Sequence, residues 1–180
     1  MYNMEDEYIG KYLKLYKKTK LELKIKVLGD SMMPILHDGD YVNVKNSASY
    51  NVGDIIVYEN EKMVVHRVID VQEKDNQKFF ITKGDNNFII DPLVCEDLIV
   101  GKVIAIFHND FKYKFNNNWI QKLMTKLSKE KVTFLGRTEA HKYFNKINFV
   151  KQLQIRATKL FYINNRILKL PKGCWTDQND

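Results

Sequence analysis

From Leu21 onward the apolar residues fall on alternate positions: Leu21, Leu23, Ile25 and Val27 are separated by charged or polar side chains. This period-two pattern predicts a half-buried strand. More short strands are predicted at Tyr41–Val44, Asp54–Tyr58, Met63–Val71, Lys78–Thr82 and Val100–Phe107. Turn-forming clusters separate them: His37-Asp38-Gly39-Asp40, Asn51-Val52-Gly53-Asp54 and Glu73–Asn76. His108-Asn109-Asp110 reads as a hairpin turn into Phe111–Phe115, where Phe111, Tyr113 and Phe115 alternate with lysines. Closely spaced strands with few intervening helices predict a mainly β, antiparallel body, curled into partial barrels.

Both ends switch to helical spacing. Tyr8, Ile9, Tyr12, Leu15 and Tyr16 share one face of a segment over Glu5–Lys18, acids first and lysines last, which suits an amphipathic helix and its dipole. Ile120, Leu123, Met124 and Leu127 stand at i, i+3, i+4 and i+7. Past Leu135-Gly136, Thr138 is an N-cap candidate for a long helix carrying Phe144, Ile147, Val150, Leu153, Ala157, Leu160 and Phe161 inward. The expected organisation is an N-terminal amphipathic helix (1–20), a β domain (21–115) and a helical C-terminal extension (116–180), without internal repeats.

Charge sharpens the second boundary. Residues 1–115 hold 16 Lys/Arg against 18 Asp/Glu, whereas residues 116–170 hold 12 against two. The basic extension reads as a helical cover with a solvated lysine face, or as a surface for anionic lipid or an acidic peptide. It contains no recognisable nucleic-acid module, so no nucleic-acid partner is expected. No stretch approaches the ~18 apolar residues needed to cross a bilayer; the longest, Leu98–Phe107, is interrupted by Gly101 and Lys102. The first 30 residues lack the apolar run of a secretory signal. Cys95 and Cys174 suggest neither a disulfide framework nor a metal pair. The expectation is a cytoplasmic protein, peripheral to a membrane at most, without metal or cofactor.

The chemistry-bearing residues lie in the β body. Gly29-Asp30-Ser31-Met32-Met33-Pro34 follows the first strand, His66-Arg67-Val68 lies inside another, and Gly84-Asp85-Asn86-Asn87 precedes Asp91. A serine hydroxyl is a weak nucleophile that needs a base within hydrogen-bond reach, and that base needs a group to orient it. Ser31, His66 and either Asp91 or Asp85 supply those types. Gly29 lets the backbone approach a substrate carbonyl, so amides of this turn, Ser31 and Met32 included, are candidates for an oxyanion and substrate-binding site. The valines around His66 favour a neutral imidazole. Asp30, Asp54 and Arg67 read as structural, and His37 as the tip of a surface turn; His108 and His141 carry no signal.

Together these stretches resemble the signal peptidase I superfamily over roughly residues 25–107. Ser31-Met32-x-Pro34 is similar to its nucleophile box, Gly53-Asp54-Ile55-Ile56-Val57 to its Gly-Asp-hydrophobic box, and Thr82-Lys83-Gly84-Asp85-Asn86-Asn87 with Asp91 to its acidic box. Bacterial-type members carry a lysine base before the Arg-Val step. The histidine found here resembles the endoplasmic reticulum, archaeal and sporulating-Gram-positive branch. That resemblance implies Ser31 as nucleophile, His66 as base, Asp91 as functional acid and Asp85 as an auxiliary or structural acid. It implies the family's β fold, no cofactor, and an endopeptidase that cuts after small residues to free a leader or signal segment from a precursor peptide or protein. Such relatives are usually anchored by one or two membrane-spanning helices; no segment here is apolar enough for that role. Two other readings fit the same fold: a catalytically idle peptide-binding module and a self-cleaving regulator, although the latter normally uses a lysine base and a DNA-binding helix-turn-helix.

Overall fold

The computed structural model describes residues 16, 19, 21–115, 119–135, 140–164 and 166–169. Its strands are β1 (Glu22–Lys26), β2 (Tyr41–Lys45), β3 (Ile55–Asn60), β4 (Lys62–Lys74), β5 (Gln77–Lys83), β6 (Val94–Cys95), β7 (Ile99–His108), β8 (Phe111–Lys114) and β9 (Arg166–Lys169). Two helices, α1 (Trp119–Leu135) and α2 (Ala140–Asn164), lie between β8 and β9. The expected N-terminal helix and the Thr138 cap fall outside the described residues. Tyr16 is described; it is buried, and its hydroxyl donates to the Val44 carbonyl at 3.0 Å.

All paired strands are antiparallel, in the order β1-β2-β7-β3-β4-β5-β6, with β8 and β9 continuing beside β7. The mainly β, antiparallel expectation holds, and the predicted strands appear within a few residues of their expected ends. The hairpin after β7 turns through Asn109 and Asp110, both at positive φ, as tight turns matching strand twist require. The β4–β5 turn is shorter than expected: β4 runs on to Lys74 and only Asp75-Asn76 reverse the chain.

β3 shows why alternation is lost in the middle of the body. Ile55, Ile56, Val57 and Tyr58 are all buried because both faces of the strand are covered. Ile55 and Val57 enter one apolar cluster with Val42, Val103 and Met32, while Ile56 and Tyr58 enter another with Phe80 and Ile99. α1 and α2 pack on the first cluster through Ile120, Met124, Ala157 and Phe161. Leu160, expected on the inward face of α2, is exposed. The buried stripe is narrower and runs Val150, Gln154, Ala157, Phe161, leaving Leu160 on the flank. Glutamine, threonine and serine fill other inward positions, namely Gln121, Thr125 and Ser128 on α1 and Thr158 beside Gln154 on α2.

Phe161 is fully buried against the ring of Phe115, 5.8 Å between centroids, so it anchors α2 to the β body. Phe161→Ala is expected to cost about 3–5 kcal/mol, the range for emptying a buried aromatic site. Equilibrium denaturant unfolding measures this, and a loss below about 1 kcal/mol would show that α2 contributes little to the folded core.

Candidate functional site

β1 ends at Lys26, and the chain then turns sharply through Gly29, which sits at φ +80°. The Gly29 amide donates to Asp38 Oδ1 at 2.7 Å, so this glycine shapes the turn while its own N–H is committed. The following turn carries Ser31, and it is fastened from the acidic loop. The Asn86 amide donates to the Ser31 carbonyl at 2.8 Å and the Asn86 side chain to the Asp30 carbonyl at 3.2 Å. Gly84 permits this approach: a Cβ there would meet the Ser31 carbonyl oxygen at 2.5 Å.

His66 lies in β4, buried to 8% exposure. Its Nε2 is 3.0 Å from Ser31 Oγ and its Nδ1 is 2.7 Å from Asp91 Oδ2. With Asp91 ionised, Nδ1 holds the proton and Nε2 presents a lone pair to the serine hydroxyl. Burial raises the Asp91 pKa, but the hydrogen bond and charge of His66 and the hydroxyls of Thr82 and Tyr58 outweigh it, and the carboxyl lies below its ordinary value. Thr82 Oγ1 lies 2.7 Å from Asp91 Oδ2 and 3.3 Å from the Tyr58 hydroxyl. Burial, reinforced by the Asp91 charge, pushes the Tyr58 phenol well up, so it remains a proton donor. Sequence reading missed Thr82 and Tyr58; both sit at ordinary strand positions, and only the pairing of β3, β4 and β5 brings them to Asp91.

Asp85 faces away from this relay. Its carboxylate takes Arg67 Nε at 2.8 Å and Nη2 at 2.7 Å, and both side chains are fully buried. Asp30 and Asp54 also stay structural: the Asp30 carbonyl closes the serine turn, and Asp54 pairs with Lys102 at 3.5 Å. Met32, 1% exposed, and Ser31 line a groove of about 470 Å³ between the end of β1 and the start of β4, with Val27, Val65 and Met63 among its walls. Among the described residues, Lys62 to His66 pair only with β3, and β1 pairs only with β2. Two strand margins therefore flank the groove.

Ligand spacing along the chain pointed to no metal cluster, yet the fold gathers His37, Asp40 and His108 with candidate ligand atoms within 4.8 Å. Hydrogen bonds and stacking hold this group together, although the buried His37 Nδ1 makes no hydrogen bond among the described residues. Asp40 accepts the His37 amide and His108 Nδ1, each at 2.8 Å. The imidazoles stack at 4.5 Å with planes 25° apart, so their in-plane lone pairs do not converge on one point.

A serine, an imidazole and a carboxylate thus stand in line beside the groove on an antiparallel β body. A model of the Peptidase S24-like family matches residues 3–104, more than half of the chain, and the chain belongs to that family. It is similar to the signal peptidase complex catalytic subunit SEC11C of Homo sapiens, 42% identical over 73 residues, 37% of this chain and 38% of that protein. The SEC11 subunit of Eremothecium gossypii is 40% identical over 68 residues, 35% of this chain and 41% of that protein. For the SEC11 subunit of Clavispora lusitaniae the figures are 38% over 71 residues, covering 37% and 43%. The chain thus matches about two fifths of the length of these curated relatives.

The acidic loop is also held from within. Lys83 is fully buried and its ammonium donates to the carbonyls of Gly84 at 2.7 Å and Asn87 at 2.8 Å. Burial pushes its pKa from 10.5 down to about 8, against the pull of Asp85. Between those values the unfolded chain holds a proton that the folded chain has released, so stability rises with pH across that window. Relative to Lys83→Met, the protein is expected to gain about 3 kcal/mol between pH 8 and 10.5. Chemical denaturation at stepped pH measures the difference, and a flat one would refute the assignment.

Proposed function

We propose that the protein is a serine endopeptidase that removes a leader or signal segment from a precursor peptide or protein. One observation carries this reading: Ser31 Oγ stands 3.0 Å from His66 Nε2, whose other nitrogen is fixed 2.7 Å from Asp91. The curated relatives named as signal peptidase catalytic subunits support it. The substrate lies extended in the groove and pairs with the margins of β1 and β4, its alternate side chains reaching the apolar walls around Met32 and Val65. Small residues precede the cut. Ser31 Oγ attacks the scissile carbonyl while His66 Nε2 takes its proton. The Ser31 amide, in the turn shaped by Gly29, steadies the oxyanion. His66 then hands the proton to the leaving amine, and water resolves the acyl-enzyme by the same route. Asp91 orients the imidazole and balances its transient charge; Asp85 is structural.

Incubating precursor peptides with the protein and its variants tests this reading. Ser31→Ala and His66→Ala are expected to abolish cleavage, and Asp91→Asn to lower kcat about 10⁴-fold by favouring the wrong tautomer. Equal cleavage by Ser31→Ala and wild type would refute it. Tight peptide binding without cleavage would mark an idle binding module instead.

The same reading places the enzyme in the cytoplasm, docked peripherally on anionic lipid. No helix among the described residues is long and apolar enough to cross a membrane. Phe149, Arg156, Leu160 and Ile163 form one exposed stripe along α2, flanked by Lys159, a composition that suits the headgroup boundary. Co-sedimentation with vesicles containing phosphatidylserine, lost in Phe149→Ser/Ile163→Ser and absent with pure phosphatidylcholine, is the expected result. Equal binding to both vesicle types, or none to either, would overturn it.

A further inference from the structure

The buried guanidinium of Arg67 has three sets of acceptors. Asp85 takes Nε and Nη2, the Gly53 carbonyl takes Nη1 at 3.0 Å, and Gln121 Oε1 on α1 takes Nη1 at 2.8 Å. From α2, Gln154 Nε2 donates to the Asp85 main-chain carbonyl at 3.3 Å. Both glutamines are buried, at 0% and 1% exposure. Neither lies in the segment that the family model matches, which ends at residue 104. Two helices outside the matched segment thus grip both members of a buried ion pair inside it.

The pair they grip touches every element that carries the relay. Arg67 follows His66 in β4. Asp85 heads the loop whose Asn86 is fastened to the Ser31 carbonyl and whose far end returns through Asp91, its amide bonded to the Thr82 carbonyl at 2.9 Å. A shift of the guanidinium therefore reaches Ser31, His66 and Asp91 together. Removing the Gln121 oxygen leaves an Nη1–H without its acceptor in a site that water does not reach. An unsatisfied buried donor of this kind is costly, so the guanidinium moves to recover a partner.

We infer that Gln121 on α1 and Gln154 on α2 are positioning residues that act through Arg67 and Asp85 to set the Ser31–His66–Asp91 spacing. The inference rests on the peptidase reading, and it gives the helical extension a task beyond covering apolar surface. Gln121 is the stronger handle because its bond to Arg67 is the shorter and charge-assisted.

The test compares Gln121→Met, which keeps the volume and loses the acceptor, with Gln121→Glu, which keeps an oxygen for Arg67. Met124→Ala is the control: it is buried on the same helix and belongs to the apolar cluster. On a precursor peptide that the wild type cleaves, Gln121→Met is expected to lower kcat about 10- to 100-fold, the scale for displacing reacting groups by a fraction of an ångström to about 1 Å. KM stays within about twofold, because the groove does not touch Gln121. Gln121→Glu recovers most of the rate, while Met124→Ala lowers Tm without lowering kcat well below its midpoint. The His66 Nδ1 proton, in a 2.7 Å bond to Asp91, supplies a second readout. Its low-field NMR resonance is expected in the wild type and in Met124→Ala, and shifted or broadened in Gln121→Met. Unchanged kcat and resonance in Gln121→Met alongside a lowered Tm would overturn the inference and leave a purely structural contact. A wild type that shows the resonance yet cleaves no precursor would refute the peptidase reading instead, and the resonance of Gln121→Met would then decide the positioning role.

Discussion

The ion pair between Arg67 and Asp85 is the constraint on which the site depends. Moving either charge out of water is expensive, and the attraction between them repays this only when the geometry is good and the remaining donors are satisfied. Both conditions hold here. The contact is bidentate at 2.8 and 2.7 Å, and Gly53 and Gln121 supply further acceptors. Such a pair tolerates little displacement, because every shift leaves some charge or donor unanswered. It therefore fixes β4 against the acidic loop, and those two segments carry His66 and Asp91.

Around that pair the loop is held by groups with one direction in common. Lys83 pulls the carbonyls of Gly84 and Asn87 inward, Asn86 reaches across to the serine turn, and the absence of a side chain at Gly84 lets the two backbones meet. Ser31 is positioned by a main-chain bond at its carbonyl, which leaves its side chain to face the imidazole. The aspartate behind the imidazole is itself held by Thr82 and kept ionised in a half-buried place. Peptide chemistry gains from such preorganisation, since little rearrangement is needed when charge develops.

The two carboxylates illustrate how far local sequence carries. Asp85 and Asp91 stand six residues apart in one loop, and either type suits an orienting role. Their division of labour follows from which side of the loop each faces: Asp85 turns into the dry interior toward a guanidinium, Asp91 toward the imidazole at the groove. In the same way α2 is legible as a helix, but Leu160 lies exposed on its flank. Gln154 and Thr158 occupy inward positions because polar partners and close helix packing await them there, a circumstance that hydrophobic periodicity does not encode.

The sequence alone determined the antiparallel strands, their turns, the basic helical end, and three segments bearing a serine, a histidine and acids. These follow from local physics: side-chain alternation, turn residues and residue chemistry act over a few positions. Only the tertiary structure decided which acid meets the imidazole, that Thr82 and Tyr58 stand behind it, and that a glutamine from α1 holds the arginine next to it while one from α2 holds the main chain of Asp85. Those partners are separated by up to 69 residues, and their contacts come into being only when strands pair and helices dock, because burial makes polar groups seek one another wherever the chain brings them.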